Sequence, residues 1–159
     1  MKKNKIKTMG ESFINTRRPN LKKFAEVELG MELPEVKKHV TQEIINKYAQ
    51  ASGDMDPQHV DPEFASQTVF KGTIAHGLLT IAYISEMMAS FFKDGWYSGS
   101  AMEISFHAPV RPGDTISASG RVKTKKISGD RGIVTCKVAC TNQENASVIT
   151  GTATALAEL

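Results

Sequence analysis

His76-Gly77-Leu78-Leu79-Thr80-Ile81-Ala82-Tyr83-Ile84-Ser85-Glu86-Met87-Met88-Ala89-Ser90-Phe91-Phe92 reads as one long helix. Only Thr80, Ser85, Glu86 and Ser90 interrupt the apolar run, so nearly every side of such a helix is hydrophobic. In a soluble protein that pattern predicts burial all round. Asp94-Gly95 ends it. No apolar stretch reaches the ~18 residues needed to span a bilayer, so no membrane partner is expected.

Downstream the periodicity changes to two. Met102, Ile104 and Phe106 alternate, and Arg111-Pro112-Gly113-Asp114 is a turn signal. Thr115 to about Ile127, Ile133–Thr141 and Val148–Leu156 read as further strands, with Ser128-Gly129-Asp130-Arg131-Gly132 as a turn. One buried helix followed by long antiparallel strands is an α+β arrangement. A helix apolar on all sides needs something wrapped around it, and a curved antiparallel sheet can do that. This is the geometry of a hot-dog fold. Its open sheet edge predicts pairing with a second copy, as a homodimer or higher homo-oligomer.

Upstream, Pro34–Val40 reads as a first strand. Thr41 is a candidate N-cap for a helix to about Ser52, with Glu43 in the first turn and Ile44, Ile45, Tyr48 and Ala49 as one apolar stripe. Gly53 is its stop signal. Gly53 to about Pro62 reads as a loop, followed by a short helical turn around Glu63–Gln67.

The chain has 159 residues, 40% hydrophobic and 23% charged, which suits one globular domain. Its net charge of +3 is unevenly spread. Residues 1–23 hold eight Lys and Arg against Glu11 alone, or +7, whereas the remainder holds twelve basic and sixteen acidic groups, or −4. Residues 1–21 are therefore read as a flexible basic arm, and 22–159 as the single domain. A solvated tail is the expected role of the arm, with no nucleic-acid partner. The basic N-terminus lacks the apolar stretch of a secretory signal, so a cytoplasmic location is expected. Cys136 and Cys140 share one face of a strand, about 13 Å apart. That is beyond the ~7 Å limit for a disulfide, so both are expected as buried free thiols.

The chemistry concentrates in Ser52-Gly53-Asp54-Met55-Asp56-Pro57-Gln58-His59-Val60-Asp61. A carboxylate and an imidazole such as Asp54 and His59 can exchange protons with water near neutral pH. Taken alone, the pair also fits an ordinary turn, since Gly-Asp and Asp-Pro are common turn dipeptides. Gly77, at the start of the long helix, has a backbone N–H available for a developing oxyanion and no side chain to block approach. Its other reading is a glycine needed for tight packing. No P-loop or dinucleotide glycine motif is present, and the histidines lack zinc-finger or zincin spacing. No metal or cofactor is expected.

Together the two segments resemble the MaoC-like (R)-specific enoyl-CoA hydratases and dehydratases, or hydratase 2. The pattern is Ser-Gly-Asp-x-Asn-Pro-x-His-x-Asp, followed some sixteen residues later by His-Gly-Met/Leu. Phe106-His107-Ala108-Pro109-Val110-Arg111-Pro112-Gly113-Asp114 is similar to the family's Phe-x-x-Pro-Val-x-x-Gly-Asp segment. The resemblance covers roughly Pro34–Leu159 and departs from the pattern at Asp56, where many members have Asn. It implies a lyase that adds water to a trans-2-enoyl-CoA, giving the (R)-3-hydroxyacyl-CoA. Asp54 and His59 would activate the water and protonate C2, Gly77 N–H would bind the thioester oxygen, and Ser85 would line the site near Asp54. Open alternatives are dehydration of a 3-hydroxyacyl-ACP, a hot-dog acyl-CoA thioesterase, and a non-catalytic acyl-CoA-binding protein.

Overall fold

The computed structural model describes residues 20–159, so the basic arm lies almost wholly outside the described residues. Its last two positions are anchored. Asn20 N–H donates to Asp94 Oδ2 at 2.6 Å, and Leu21 bridges to Lys93.

The elements in chain order are a 3-10 turn at Phe24–Glu26, then β1 (Val36–His39), α1 (Gln42–Ser52), α2 (Pro57–Val60), α3 (Pro62–Gln67), α4 (Gly77–Phe92), α5 (Asp94–Tyr97), β2 (Ala101–Phe106), β3 (Thr115–Ser128), β4 (Arg131–Thr141) and β5 (Ser147–Ala157). The five strands form one antiparallel sheet in the order β1-β3-β4-β5-β2. It curves around α4, which packs against β1, β3, β4 and β5. The expected α+β hot-dog architecture is present.

The inner face follows the two-residue period. Ile116, Ala118 and Val122 on β3 and Val134, Cys136, Val138 and Cys140 on β4 point inward. Three alanines of β5, at 153, 155 and 157, are fully buried and leave room for the large side chains of α4. Both cysteines are free and buried, as expected.

α4 corrects one expectation. Leu79, Thr80, Tyr83, Ile84, Met87, Met88 and Phe92 are buried, whereas Leu78, Ala82, Glu86 and Ser90 form an exposed stripe. Burial all round does not hold within one chain, because the sheet encloses only one side of the helix. Asp94-Gly95 does end α4, through Lys93 at φ 54, but the next residues turn at once into α5.

One further reading changes. The segment Gly53–Pro62 contains a helical turn, α2, rather than loop alone. Lys125 on β3 donates to the carbonyls of Phe24 and Val27 at 2.8 and 2.6 Å. Its ammonium also lies 4.1 Å from the Phe24 ring centroid, so it pins the chain's entry segment to β3.

Candidate active site

Two Asp-Pro steps build the site. Asp56 caps α2 by accepting from Gln58 N–H at 3.0 Å, with Pro57 at the first helical position. Asp61 caps α3 by accepting from Glu63 and Phe64 N–H groups, with Pro62 following. Proline suits that position because its missing N–H would have no intrahelical acceptor there and its φ is already helical. The Asp56 carboxylate is thus occupied in capping. Asn caps equally well, so Asp in place of Asn leaves the local architecture intact.

This double turn presents Asp54 and His59 differently. Asp54 is exposed on the connection between α1 and α2, and its Oδ1 accepts only a long 3.4 Å hydrogen bond from Asp56 N–H. His59 is buried, and its Nδ1 lies 2.8 Å from the carbonyl oxygen of Ile74. A carbonyl can only accept, so Nδ1 carries the proton and Nε2 of the neutral ring holds a lone pair. Gln42 fixes the turn from α1, donating to the His59 carbonyl at 2.8 Å, and Thr73 Oγ1 donates to Gln42 Oε1 at 2.6 Å.

A third imidazole completes the group. His76, immediately before α4, stacks on His59 with ring centroids 3.8 Å apart and an interplanar angle of 28°. Its Nε2 donates to the backbone carbonyl of Asp54 at 2.9 Å. One side-chain ligand atom from each of Asp54, His59 and His76 lies within 4.8 Å of the others. The set does not suit a metal ion well. Nearly parallel stacked rings direct their lone pairs side by side rather than to one point, and His76 Nε2 is already committed to a carbonyl.

Beside the imidazoles lies a cleft of about 470 Å³ whose lining includes His59, Gly77, Thr80, Phe106, His107 and Val110. A larger depression of about 680 Å³, between Glu32–Glu35 and strands β3 and β4, contains no histidine and is remote from this chemistry. Gly77 is the first residue of α4, so its N–H has no acceptor within the helix. Its φ is not in the left-handed region, and an added Cβ would meet the Phe106 ring at 3.0 Å. Backbone strain therefore does not account for this glycine, whereas the Phe106 ring leaves little room for a side chain.

The fold thus places His59 and Gly77 on the cleft, with Asp54 close to His59 and His76 but outside the lining. It does not bring Ser85 into the cleft. That residue lies two helical turns beyond Gly77, about 12 Å along the axis, and its Oγ accepts from Trp96 Nε1 at 2.8 Å. His76 and His107 were not expected as site residues. The His-Gly dipeptide was the available signal for the first. His107 lines the cleft and is paired through Nε2 with Thr150 Oγ1 at 2.7 Å, a cross-strand contact that spacing does not reveal.

The MaoC like domain family model matches residues 25–144. The chain belongs to this MaoC-like family. An (R)-specific enoyl-CoA hydratase of Rhodospirillum rubrum is 33% identical over 104 residues, covering 65% of this chain and 71% of that protein. A mitochondrial 3-hydroxyacyl-[acyl-carrier-protein] dehydratase of Arabidopsis thaliana is 30% identical over 115 residues, covering 72% and 68%. The unliganded R-hydratase of Pseudomonas aeruginosa superimposes with a TM-score of 0.73 at 29% identity, covering 87% of this chain and 86% of that one. These relatives are lyases, in keeping with the MaoC-like resemblance of the sequence.

Proposed function

We propose that this MaoC-like chain hydrates a trans-2-enoyl-CoA reversibly to the (R)-3-hydroxyacyl-CoA, with Asp54, His59 and Gly77 as the reacting groups. The observation that carries this reading is the His59 Nδ1–Ile74 carbonyl bond, which leaves Nε2 free to act as a base in a ring that lies near the Asp54 carboxylate. His59 Nε2 takes a proton from water held with Asp54, and the water oxygen bonds to C3. The C2=C3 electron pair moves onto the thioester as an enolate, whose oxygen accepts from Gly77 N–H. The Asp54–His59 pair then returns a proton to C2. Ser85, placed near Asp54 by the resemblance, has no assigned part in these steps, since it lies outside the cleft lining and its Oγ accepts from Trp96 Nε1.

The test is incubation of the protein with crotonyl-CoA and longer trans-2-enoyl-CoAs, following loss of enoyl-thioester absorbance and the chirality of the product. An (R)-3-hydroxyacyl product supports the reading. An (S) product or no absorbance loss would sink it, and release of free CoA thiol would point to a thioesterase. The Arabidopsis relative supports a second reading, the same chemistry on an acyl-carrier-protein thioester. Side-by-side turnover of matched CoA and carrier-protein substrates separates the two.

A homodimer is part of the proposal. β2 is an edge strand, and Phe106 at its end and Leu78 at the start of α4 are 55% and 64% exposed. Pairing two copies would cover an edge that otherwise invites aggregation. Sedimentation at a monomer mass would overturn this part.

A further inference from the structure

His76 touches each of the three groups assigned to the reaction. Its Nε2–H reaches the main chain of Asp54, its ring face lies on His59, and its peptide bond leads into Gly77. Tyr48 of α1 closes another side, with ring centroids 4.9 Å apart and planes tilted by 53°. The ring is 2% exposed and is not part of the cleft lining, so bound substrate has no path to it.

Among the described residues, His76 Nδ1 is buried with no hydrogen-bond partner. Burying a nitrogen without a partner opposes folding, and an apolar residue of similar size would avoid it. The retained imidazole therefore needs a reason, and its other nitrogen and its face supply one. The Asp54 carbonyl cannot donate, so Nε2 bears the proton and the Nδ1 lone pair is the unpartnered site.

We propose that His76 is a positioning residue for the hydration. Through Nε2–H it fixes the main chain that carries the Asp54 carboxylate, and by stacking it holds the plane of the His59 ring beside that residue. It thereby sets both groups relative to the Gly77 N–H. This inference rests on the reading of Asp54, His59 and Gly77 as the reacting groups.

The test compares His76→Gln with His76→Met in the full chain. Glutamine places an amide N–H near the position of Nε2 and can still donate to the Asp54 carbonyl. Methionine fills similar space without a donor. Small misplacement of reacting groups costs roughly 10²-fold, so kcat of His76→Met is expected to fall by roughly 10- to 100-fold. KM should move by less than about threefold, because substrate contacts are untouched. His76→Gln is expected to recover most of the lost kcat. Should His76→Met fail to fold, His76→Phe, which keeps a ring on His59 but has no donor, takes its place with the same expectation.

Imidazole nitrogen NMR gives a readout independent of turnover. The Ile74 carbonyl keeps the proton on Nδ1, so loss of the stack should appear as ring disorder: one sharp set of His59 ring resonances in the wild type, and exchange-broadened or multiple sets in His76→Met. The proposal is overturned by wild-type kcat in His76→Met, by His76→Gln no better than His76→Met, or by a loss confined to KM. If the wild type hydrates no enoyl thioester, the functional reading fails instead. The NMR comparison then decides alone, and equally sharp, single His59 ring resonances in His76→Met would overturn the positioning role.

Discussion

Asp54 and His59 lie five positions apart, yet their surroundings call for opposite expectations about stability. Asp54 is exposed and its carboxylate supports little of the fold, so Asp54→Asn should leave the melting temperature near wild type while kcat falls by ~10²–10⁴. His59→Gln should lose a similar factor and also destabilise by about 1 kcal/mol, since the buried bond to the Ile74 carbonyl is disturbed. Losses below tenfold in both variants would remove the pair from the mechanism. Gly77→Val makes a sharper point. Helical φ permits valine, and the Phe106 ring that its Cβ would press on is more than half exposed and can swing aside. The protein should stay folded, while a displaced thioester oxygen loses up to ~10²–10³ in turnover. A large drop in melting temperature would instead make the glycine structural. Asp54, His59 and Gly77 were legible in sequence as candidates because irregular, proline-bounded spacing and a glycine at a helix start both leave marks there. His76 was not, because its stacking and its reach to Asp54 depend on the meeting of two segments twenty-two positions apart.

At the scale of elements, most boundaries followed from local signals. Thr41 caps α1 by accepting from Ile44 N–H at 3.2 Å, and Gly53 ends it at φ 78, as the sequence predicts. What escaped was α2, because four residues are too few to show a helical period. Its signal was the cap-and-proline step itself, repeated at Asp56-Pro57 and Asp61-Pro62. The exposed stripe of α4 was also hidden, since apolar content tells how much can be buried and not how far a sheet wraps. The caps give a direct test. Asp56→Ala should cost ~1 kcal/mol and loosen the turn that carries His59, whereas Asp56→Asn should be close to neutral. Chemical denaturation of the two variants measures the difference, and equal midpoints would show that the cap contributes nothing.

For the molecule as a whole, the two buried thiols set an alkaline limit. Burial pushes Cys136 and Cys140 up to about 12 from the ordinary 9.0. The folded chain then keeps protons that the unfolded chain gives up, so this contribution is complete below about pH 9 and is lost as pH rises toward 12. Denaturation midpoints should decline over that range, and less steeply in a Cys136→Ala/Cys140→Ala variant. Parallel declines would assign the limit to other groups. Sheet order has a consequence of another kind. β3, β4 and β5 follow one another through short turns, at Gly129 and Asn142–Asn145, and can form from local contacts. β1 must find β3 across seventy-six positions, as in His39 with Thr115, and β2 must find β5 across a similarly non-local gap. Such pairings close slowly, because chain entropy is lost before contacts compensate for it. Asp54, His59, His76 and Gly77 all lie between those two outer strands in sequence, so the segment that carries the candidate site is expected to fold late and open first. Hydrogen exchange should find its amides released by smaller openings than those of the central hairpins, and inactivation should precede unfolding.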